Sequence, residues 1–386
     1  MYSNVAREMH HGRTVVEYRK AKGWTQQRLA DELGVELRTV QRMEQLAMIK
    51  DIERRWFLVG LLGIPAILLG LEGKPPPRVS TNFALNEDSI GYLENGIVLR
   101  WEMHKIAGSI SVAHGLDMWM NEVGAFVKAT QGKVWHTRSL AVLSISYLLQ
   151  GSIARSMKLN YDQAHEAIQN ALSIAREIDD PELIASALFR EGVTFLNQDK
   201  PQKAITSLTG AFDTIHGRPF PVLRGHILKL LSEAHARAQQ PQECWRSVGL
   251  AESVLEHQKQ LPERSSFLQR EFSLASVTAQ KGVNAAFLHD YQRAVSLINK
   301  GLAACNPTFI PTRARLLVQK AEAFYGLGEI DSCVIHAEEV LTLARSVGSN
   351  KTVSRVKSLH TSLVQSRWKN EPGVARLGAL LAMHSL

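Results

Sequence analysis

Cysteine is scarce in this chain, and its few copies lack metal-binding spacing. Cys244, Cys305 and Cys333 are the only three among 386 residues. No CxxC pair or Cys/His cluster occurs, which argues against the usual zinc sites. Isolated thiols indicate a reducing compartment, because small extracellular domains are commonly stabilised by paired cysteines. We therefore expect a cytoplasmic protein with no metal and no other cofactor.

The sequence also lacks a secretory signal and a full-length membrane span. Its first residues, MYSNVAREMHHGR, contain no apolar stretch after a basic start. The most apolar run, WFLVGLLGIPAILLGL from Trp56 to Leu71, is shorter than the roughly 20 residues needed to cross a bilayer. Gly63 and Pro65 interrupt this run. We interpret it as two helices that close an N-terminal domain rather than as a membrane anchor, and we expect no membrane contact.

Motifs of common enzymes are absent as well. The sequence contains no GxxxxGK[ST] loop, no GxGxxG after a strand, no HExxH and no GxSxG. Strand signals are almost missing, and apolar residues recur at three- and four-residue spacing in block after block. This pattern predicts an all-α fold, in which nucleotide and hydrolase sites have no strand scaffold. We expect no enzyme activity.

Acidic residues are outnumbered by basic ones. The chain carries 45 Lys and Arg against 37 Asp and Glu, which gives a formal net charge of +8. Such a surplus favours a polyanionic partner. The first 75 residues hold 12 basic and 9 acidic side chains, so the surplus is not concentrated there. Charge alone therefore does not locate the partner's site.

One stretch near the N-terminus, WTQQRLADELGVELRTVQRME from Trp24 to Glu44, indicates both a shape and a partner. Its apolar or small residues mark two short helices: Trp24, Leu29, Ala30, Leu33, Val35, Val40 and Met43. Thr25 can cap the first helix with its hydroxyl, and Gly34 can supply the positive φ of the turn. The small Ala30 lets the second helix cross closely. These features predict a helix-turn-helix.

The stretch RKAKGWTQQRLADELGVELRTVQRME resembles the Xre/Cro/phage-repressor helix-turn-helix family. Nine positions fall in register with the family pattern: Thr25, Gln26, Leu29, Ala30, Leu33, Gly34, Val35, Val40 and Glu44. The resemblance implies that the helix from Leu37 to Glu44 enters the major groove of double-stranded DNA. It places Leu37, Arg38, Gln41 and Arg42 against the bases, and Thr25, Gln26 and Thr39 near phosphates. Glu36 departs from the family, which usually has a serine, threonine or aspartate cap there.

An ordinary helical hairpin with solvated surface arginines is the alternative interpretation of this stretch. Arg38 and Arg42 stand four residues apart, so both point the same way on a helix. A guanidinium can bond O6 and N7 of guanine, and Gln41 can read adenine in a similar way. This arrangement favours DNA recognition.

The segment Lys74-Pro75-Pro76-Pro77 predicts a semi-rigid linker, because successive prolines favour an extended chain. We expect a DNA-binding domain over residues 1–73, a linker over 74–81 and a helical domain over 82–386. Helices are predicted from Asn82 to Ala107 and from Ser109 to Thr130.

Five stretches beyond the linker share one pattern: KLNYDQA, DKPQKAI, QQPQECW, LHDYQRA and LGEIDSC. They align on Ala164, Ala204, Cys244, Ala294 and Cys333, at spacings of 40, 40, 50 and 39. Tyr161, Pro201, Pro241, Tyr291 and Ile330 stand three residues earlier. The stretches resemble the turn and second helix of tetratricopeptide repeats, most clearly over residues 146–348, with longer helices than that family has. The resemblance implies an α-solenoid with a concave binding face.

In this register the first helix of each pair lines the concave face. The inward polar residues are Asn197, Lys229, Glu233, Arg237, Arg315, Glu322 and Tyr325. Lys229, Glu233 and Arg237 follow one another at four-residue spacing and form one stripe. Mixed charge with an amide suits a peptide or protein ligand better than a hydrophobic small molecule. Alternatively, the charges brace each other across an empty groove.

An Xre-type head followed by a long repeat body resembles bacterial regulators, including peptide-responsive ones. We therefore predict a sequence-specific DNA-binding transcriptional regulator whose repeat domain forms a homodimer, senses a peptide or protein signal, or does both. The alternative is a tetratricopeptide-type interaction scaffold with weak or no DNA binding. Two last helices, Thr352–Trp368 and Val374–His384, would cap the array, and the final one could instead contact a second copy.

Overall fold

The computed structural model describes residues 10–33, 35–71, 85–256 and 272–383, except for the side chain of Glu53. The chain divides into two compact units, Met1–Asn82 and Phe83–Leu386. Helices are the only regular structure in the described ranges, which confirms the all-α prediction. Gly34 and the linker at 74–81 lie outside the described residues. The predicted turn and the predicted domain boundaries therefore stay predictions.

The N-terminal unit is a small helical bundle. Its described helices are α1 (His11–Ala21), α2 (Gln26–Leu33), α3 (Leu37–Met43), α4 (Ile52–Leu62) and a 3-10 helix (Ala66–Leu69). Thr25 caps α2 as predicted, because its hydroxyl accepts the backbone N–H of Arg28 at 3.1 Å. The apolar run breaks where the sequence predicts, at Gly63 (φ 73°). Its second half forms a 3-10 turn instead of an α-helix, since Gly70 also turns left-handed.

One apolar core holds this bundle together. It consists of Val15, Leu29, Ala30, Val40, Met43, Ile49, Leu58, Leu62, Ile64, Leu69 and Leu71. At its edge the imidazole of buried His11 accepts the backbone N–H of Ile49 at 3.2 Å through Nδ1. None of the helices in the described ranges is long and apolar enough to cross a membrane.

The C-terminal unit begins with α5 (Glu87–Ala107), α6 (Ile110–Ala113) and α7 (Leu116–Ala129). The single helix predicted over Ser109–Thr130 is thus two helices, because Gly115 turns left-handed between them. Five helix pairs follow: α8 (His136–Ile153) with α9 (Tyr161–Glu177), α10 (Pro181–Asn197) with α11 (Pro201–Thr214), α12 (Pro221–Arg237) with α13 (Pro241–Glu256), α14 (Leu274–Phe287) with α15 (Tyr291–Ala304), and α16 (Ile310–Leu327) with α17 (Ile330–Ser346).

The helix pairs confirm the repeat pattern read from the sequence. Each second helix begins at an aligned residue: Tyr161, Pro201, Pro241, Tyr291 or Ile330. The aligned small residues Ala164, Ala204, Cys244, Ala294 and Cys333 are fully buried. Close packing at these positions lets each pair nest against its neighbour. The array ends with α18 (Asn350–Val364) and α19 (Pro372–Met383), and α19 acts as a cap because Leu377 and Leu381 are buried in the shared core.

A left-handed residue stands two positions before each of these second helices. These residues are Leu159, Asp199, Gln239, His289 and Gly328. Seven positions further back, the first helix of four pairs carries a small buried residue: Gly192, Ser232, Gly282 or Ala321. In the first pair the small buried Ser152 stands at this distance, but the residue that packs on the second helix as Gly192 and Gly282 do is Gly151, one position further away. A π-helix, Ala154–Lys158, accommodates this extra residue.

The first and last parts of the repeat array touch. Asn350, at the start of α18, donates a side-chain hydrogen bond to the carbonyl oxygen of Met157 in the π-helix at 2.6 Å. Gly108 lies so close to Val347 that a β-carbon there would come within 2.7 Å of the valine. Helix α5 also packs on α16. The repeats therefore close on themselves and surround a central cavity.

Candidate functional site

The central cavity has a volume of about 860 Å³. This is within the range of small-molecule and cofactor pockets. Six of the seven predicted concave-face residues line it: Asn197, Lys229, Glu233, Arg237, Arg315 and Glu322. The seventh, Tyr325, lies with Glu322 at a smaller neighbouring pocket. The register of the repeats thus brings the predicted side chains together.

The lining of this cavity is strongly basic. Its cationic side chains are Lys105, Arg155, Arg190, Lys229, Arg237, Arg315, Lys351 and Arg355, and its carboxylates are Asp199, Glu233 and Glu322. A concave surface on which cations outnumber carboxylates holds a positive electrostatic potential inside it. The cavity therefore favours a ligand that carries negative charge.

Glu233 is the buried centre of an ion-pair cluster. Its carboxylate accepts a hydrogen bond from Arg237 Nη2 at 2.7 Å, one from Arg315 Nη2 and one from Gln280 Nε2 at 3.1 Å. Burial alone would raise the pKa of Glu233, but the charges of Arg315 and Arg237 hold that pKa well below its usual range. These bonds join α12, α14 and α16. The pairing of this carboxylate fits the alternative that the charges brace each other, and a ligand contact at Glu233 stays a prediction.

Glu322 and Tyr325 are also engaged within the fold. Glu322 accepts hydrogen bonds from Arg355 Nε at 3.2 Å and from Arg355 Nη2 at 2.5 Å. The ring of Tyr325 meets the edge of the Trp368 ring, with centroids 5.7 Å apart. Both residues thus hold α16 against α18 and the segment that follows α18. This placement fits the alternative that the polar residues brace each other instead of binding a ligand.

Many cavity residues are absent from the sequence-based prediction, and Ser152, Arg155 and Lys351 are among them. Arg155 lies in the π-helix, whose extra residue shifts the repeat register by one position. Burial lowers the pKa of Arg155 to about 10. Lys351 belongs to α18, outside the aligned repeats. No clear signal of the extra residue is present in the sequence, because the small Ser152 stands at the same seven-residue distance from Leu159 as the small residues of the other pairs do from theirs.

In the N-terminal unit, α3 exposes three polar side chains on one face. Arg38, Gln41 and Arg42 are exposed and have no hydrogen-bond or ion-pair partner in the described part of the chain. Val40 and Met43, on the opposite face, are buried in the core. Among the other predicted DNA-binding residues, Thr25 is exposed, whereas Leu37 and Thr39 are half-buried.

A buried ion pair fixes the end of α3. Arg19 of α1 donates to Glu44 through Nε at 2.5 Å and through Nη2 at 3.1 Å. Gln26 donates its side-chain amide to the same carboxylate at 2.7 Å. This bond uses one of the two N–H donors of the Gln26 amide, so the expected phosphate contact of Gln26 stays a prediction. The backbone N–H groups in the first turn of α2 remain suited to an anion.

No family model matches this sequence, and no curated protein does either. A solved structure of a Rap protein, complexed with Competence and Sporulation Factor, has a TM-score of 0.50 and 12% identity and covers 78% of this chain and 88% of its own. BtubC (BKLC) from P. vanneervenii has a TM-score of 0.42 and 13% identity over 60% of this chain and 91% of its own. PlcR from Bacillus thuringiensis, in complex with the peptide PapR7 and DNA, has a TM-score of 0.38 and 13% identity. The match covers 94% of this chain and 100% of PlcR. The likeness to Rap supports the tetratricopeptide-like α-solenoid fold.

Proposed function

We propose that this protein is a sequence-specific DNA-binding transcriptional regulator whose helical repeats bind a peptide or protein ligand in their central cavity. The observation that carries this proposal is the exposed face of α3. Arg38, Gln41 and Arg42 lie there without partners in the described ranges, although long polar side chains often pair with neighbours on a helix surface. Each could contribute about 1–3 kcal/mol of base discrimination through a bidentate contact.

The support of α3 suits this role. A helix that reads bases must present its side chains at a fixed angle, since misplaced donors lose their hydrogen bonds. The Arg19–Glu44 ion pair fixes the C-terminal end of α3. Its inner face is held in the core by Val40 and Met43. The exposed face of α3 is therefore available for the proposed DNA contact.

The cavity supports the ligand part of the proposal. Asn197 lines it, and the side-chain nitrogen of this residue is buried without a hydrogen-bond partner among the described residues. An asparagine amide can donate to and accept from a peptide backbone at the same time. The solved Rap protein is described with Competence and Sporulation Factor bound, whereas a ligand of this chain is inferred from the chain's own cavity residues.

A homodimer belongs to the proposal because helix-turn-helix dimers read two half-sites about 34–36 Å apart. A ligand that binds one arrangement of the body more tightly would shift the population of head spacings and thus the operator affinity.

Selection of bound sequences from a pool of random DNA duplexes tests the DNA-binding function with the full-length protein. We expect an enriched inverted repeat, and we expect Arg38→Ala and Arg42→Ala each to relax the preference at one position of the half-site. Arg13→Ala is the matched control, because it removes an exposed arginine of α1 that already pairs with Glu17. Absence of any enriched sequence would overturn the proposal and favour the interaction scaffold.

A further inference from the structure

One corner of the cavity gathers hydrogen-bond donors that pair with no carboxylate of the described residues. We call it the donor corner and define it by Ser152, Arg155, Asn197 and Lys351, all of which line the cavity. The four residues come from three parts of the fold, namely the end of the first repeat's leading helix, α10 and α18. The rest of the cavity differs, because its other arginines near carboxylates are already paired.

Arg155 is a buried guanidinium without a counter-charge. Its Nη1 donates to Thr194 Oγ1 at 3.2 Å, and no carboxylate pairs with it in the described part of the chain. Burying an unpaired charge costs several kcal/mol, which a fold tolerates only where something compensates. Arg237, Arg315 and Arg355 show the usual solution, since each of them contacts a glutamate.

Two neutral donors flank this guanidinium. Ser152 lies three residues before Arg155, is 1% exposed, and its hydroxyl has no partner among the described residues. Asn197 lies three residues after Thr194 on α10, so it shares the face that Arg155 contacts. Its buried side-chain nitrogen is likewise without a partner there. Both groups therefore carry the cost of an unsatisfied buried donor.

Lys351 adds a second basic group to the corner. The hydrogen bond from Asn350 to Met157 holds the start of α18 against the π-helix that carries Arg155. Within the described ranges Lys351 has neither an ion pair nor a hydrogen bond. Burial lowers its pKa well below the usual lysine value, and the nearby charges of Arg155 and Arg355 act in the same direction. The corner thus lacks negative charge.

We propose that the donor corner binds a carboxylate group of the ligand, an inference that rests on the proposed peptide-binding function. A carboxylate has two oxygens with about four acceptor positions, which matches the four donors of the corner. A guanidinium forms its strongest hydrogen bonds with this group. Both the C-terminal carboxylate of a peptide and an aspartate or glutamate side chain supply the same chemistry.

Equilibrium binding of full-length protein to pools of random heptapeptides tests the proposal. Three pools serve as probes: free C-termini, amidated C-termini, and amidated C-termini without aspartate or glutamate. Bound peptides are identified by mass spectrometry. Enrichment from the first pool alone assigns the corner to a C-terminus, and additional enrichment of acidic peptides from the second assigns it to a side chain. Enrichment from the third pool equal to that from the first would overturn the proposal.

The variant Lys351→Gln separates the corner from the rest of the cavity. It should weaken the best selected peptide about tenfold or more, as expected for a lost charge-assisted hydrogen bond. Its melting temperature should not fall, because the substitution removes a buried amino group that has no partner among the described residues. Lys357→Gln, at an exposed position of α18 outside the cavity, should bind like the wild type.

The two failures can be distinguished. If the wild-type protein enriches peptides but Lys351→Gln binds them equally well, the donor corner is wrong and the peptide-binding function stands. If the wild-type protein enriches no peptide from any pool, the peptide part of the proposed function fails together with the donor corner. Neither result affects DNA selection, which depends on α3.

Discussion

Arg19 and Glu44 form a two-point buried ion pair that fastens α1 to the end of α3. Their side chains are only 8% and 5% exposed. Arg19 also donates to the carbonyl oxygen of Trp24 at 2.8 Å, which ties the segment before α2 to the same pair. The orientation of the exposed face of α3 therefore depends on a contact that lies inside the bundle.

Replacing Glu44 with alanine should destabilise the N-terminal unit by about 3–5 kcal/mol, because it leaves Arg19 buried without a counter-charge. Hydrogen exchange of α1–α3 in the full-length protein measures this loss. Glu17→Ala is the control, since its ion pair with Arg13 is exposed and contributes little. Equal protection in the two variants would contradict the prediction. Gln26→Ala should share part of the loss, since it removes a donor to Glu44.

Replacing Glu36 with serine should stabilise α3 and strengthen DNA binding. Glu36 occupies the N-cap position of α3 but makes no capping hydrogen bond through its side chain. A serine there typically contributes about 1 kcal/mol, and the change also removes a negative charge next to the proposed DNA surface. Operator affinity at two salt concentrations measures both effects. Glu36→Gln removes only the charge, so a larger gain with serine would isolate the cap, whereas no gain in either variant would refute the prediction.

Replacing Glu233 with alanine should lower the free energy of unfolding of the C-terminal unit by about 3–5 kcal/mol, since Arg237 and Arg315 lose their shared carboxylate. Denaturant unfolding followed by circular dichroism measures the change. Asp199→Ala is a matched control, because Asp199 is exposed and lies 3.9 Å from the same Arg237. A similar effect of the two substitutions would show that Glu233 does not hold α12, α14 and α16 together.

Replacing Gly328 with alanine should destabilise the last repeat by about 1 kcal/mol. Gly328 has φ 79°, and a β-carbon there would meet no atom closer than 3.5 Å, so the cost arises from the backbone conformation. Gly249→Ala is the control of opposite sign, because it lies on an exposed helical face with open space around it. Thermal unfolding should therefore shift down for the first variant and up for the second.

The stability of the N-terminal unit should decrease as the pH falls below about 6.5, the ordinary histidine pKa. Burial lowers the pKa of His11, and the charge of Arg55 lowers it further. The folded state therefore binds this proton less readily than the unfolded state, so stability is complete above the unfolded pKa and is lost on acidification. Hydrogen exchange at Ile49, whose N–H His11 accepts, reports the change. His11→Asn keeps an acceptor without a titrating ring and should flatten the pH dependence, whereas an unchanged slope would exclude His11 as its source.

The helix pairs could be predicted from the sequence because small residues recur where helices must nest. Ala164 and Ala204 mark packing that is local and periodic. Lys351 could not be found in this way, because the hydrogen bond that places its helix joins residues 193 positions apart. Arg155 could not be predicted for a different reason. Its π-helix interrupts the helical periodicity on which the repeat alignment relies.

The ion pair between Glu44 and Arg19 could not be predicted from the sequence either. The motif resemblance marks Glu44 as the end of the second helix, but its partner Arg19 is not one of the nine positions in register and stands 25 positions earlier. Likewise, charge spacing on α12 revealed the polar stripe of Lys229, Glu233 and Arg237, but spacing cannot tell a ligand contact from a brace. That distinction depends on Arg315 and Gln280, which come from two other helices.

The hydrogen bond between Asn350 and Met157 gives the repeat array a seam in place of two free ends. A linear array of repeats can fray from either terminus, because each unit is stabilised only by its neighbours. Here the first pair and α18 are neighbours too, so fraying must first break the contact between them. Arg155 and Lys351 lie on opposite sides of it. A ligand bound by both residues would link the two sides of this contact. It would therefore raise the free energy needed to open the ring.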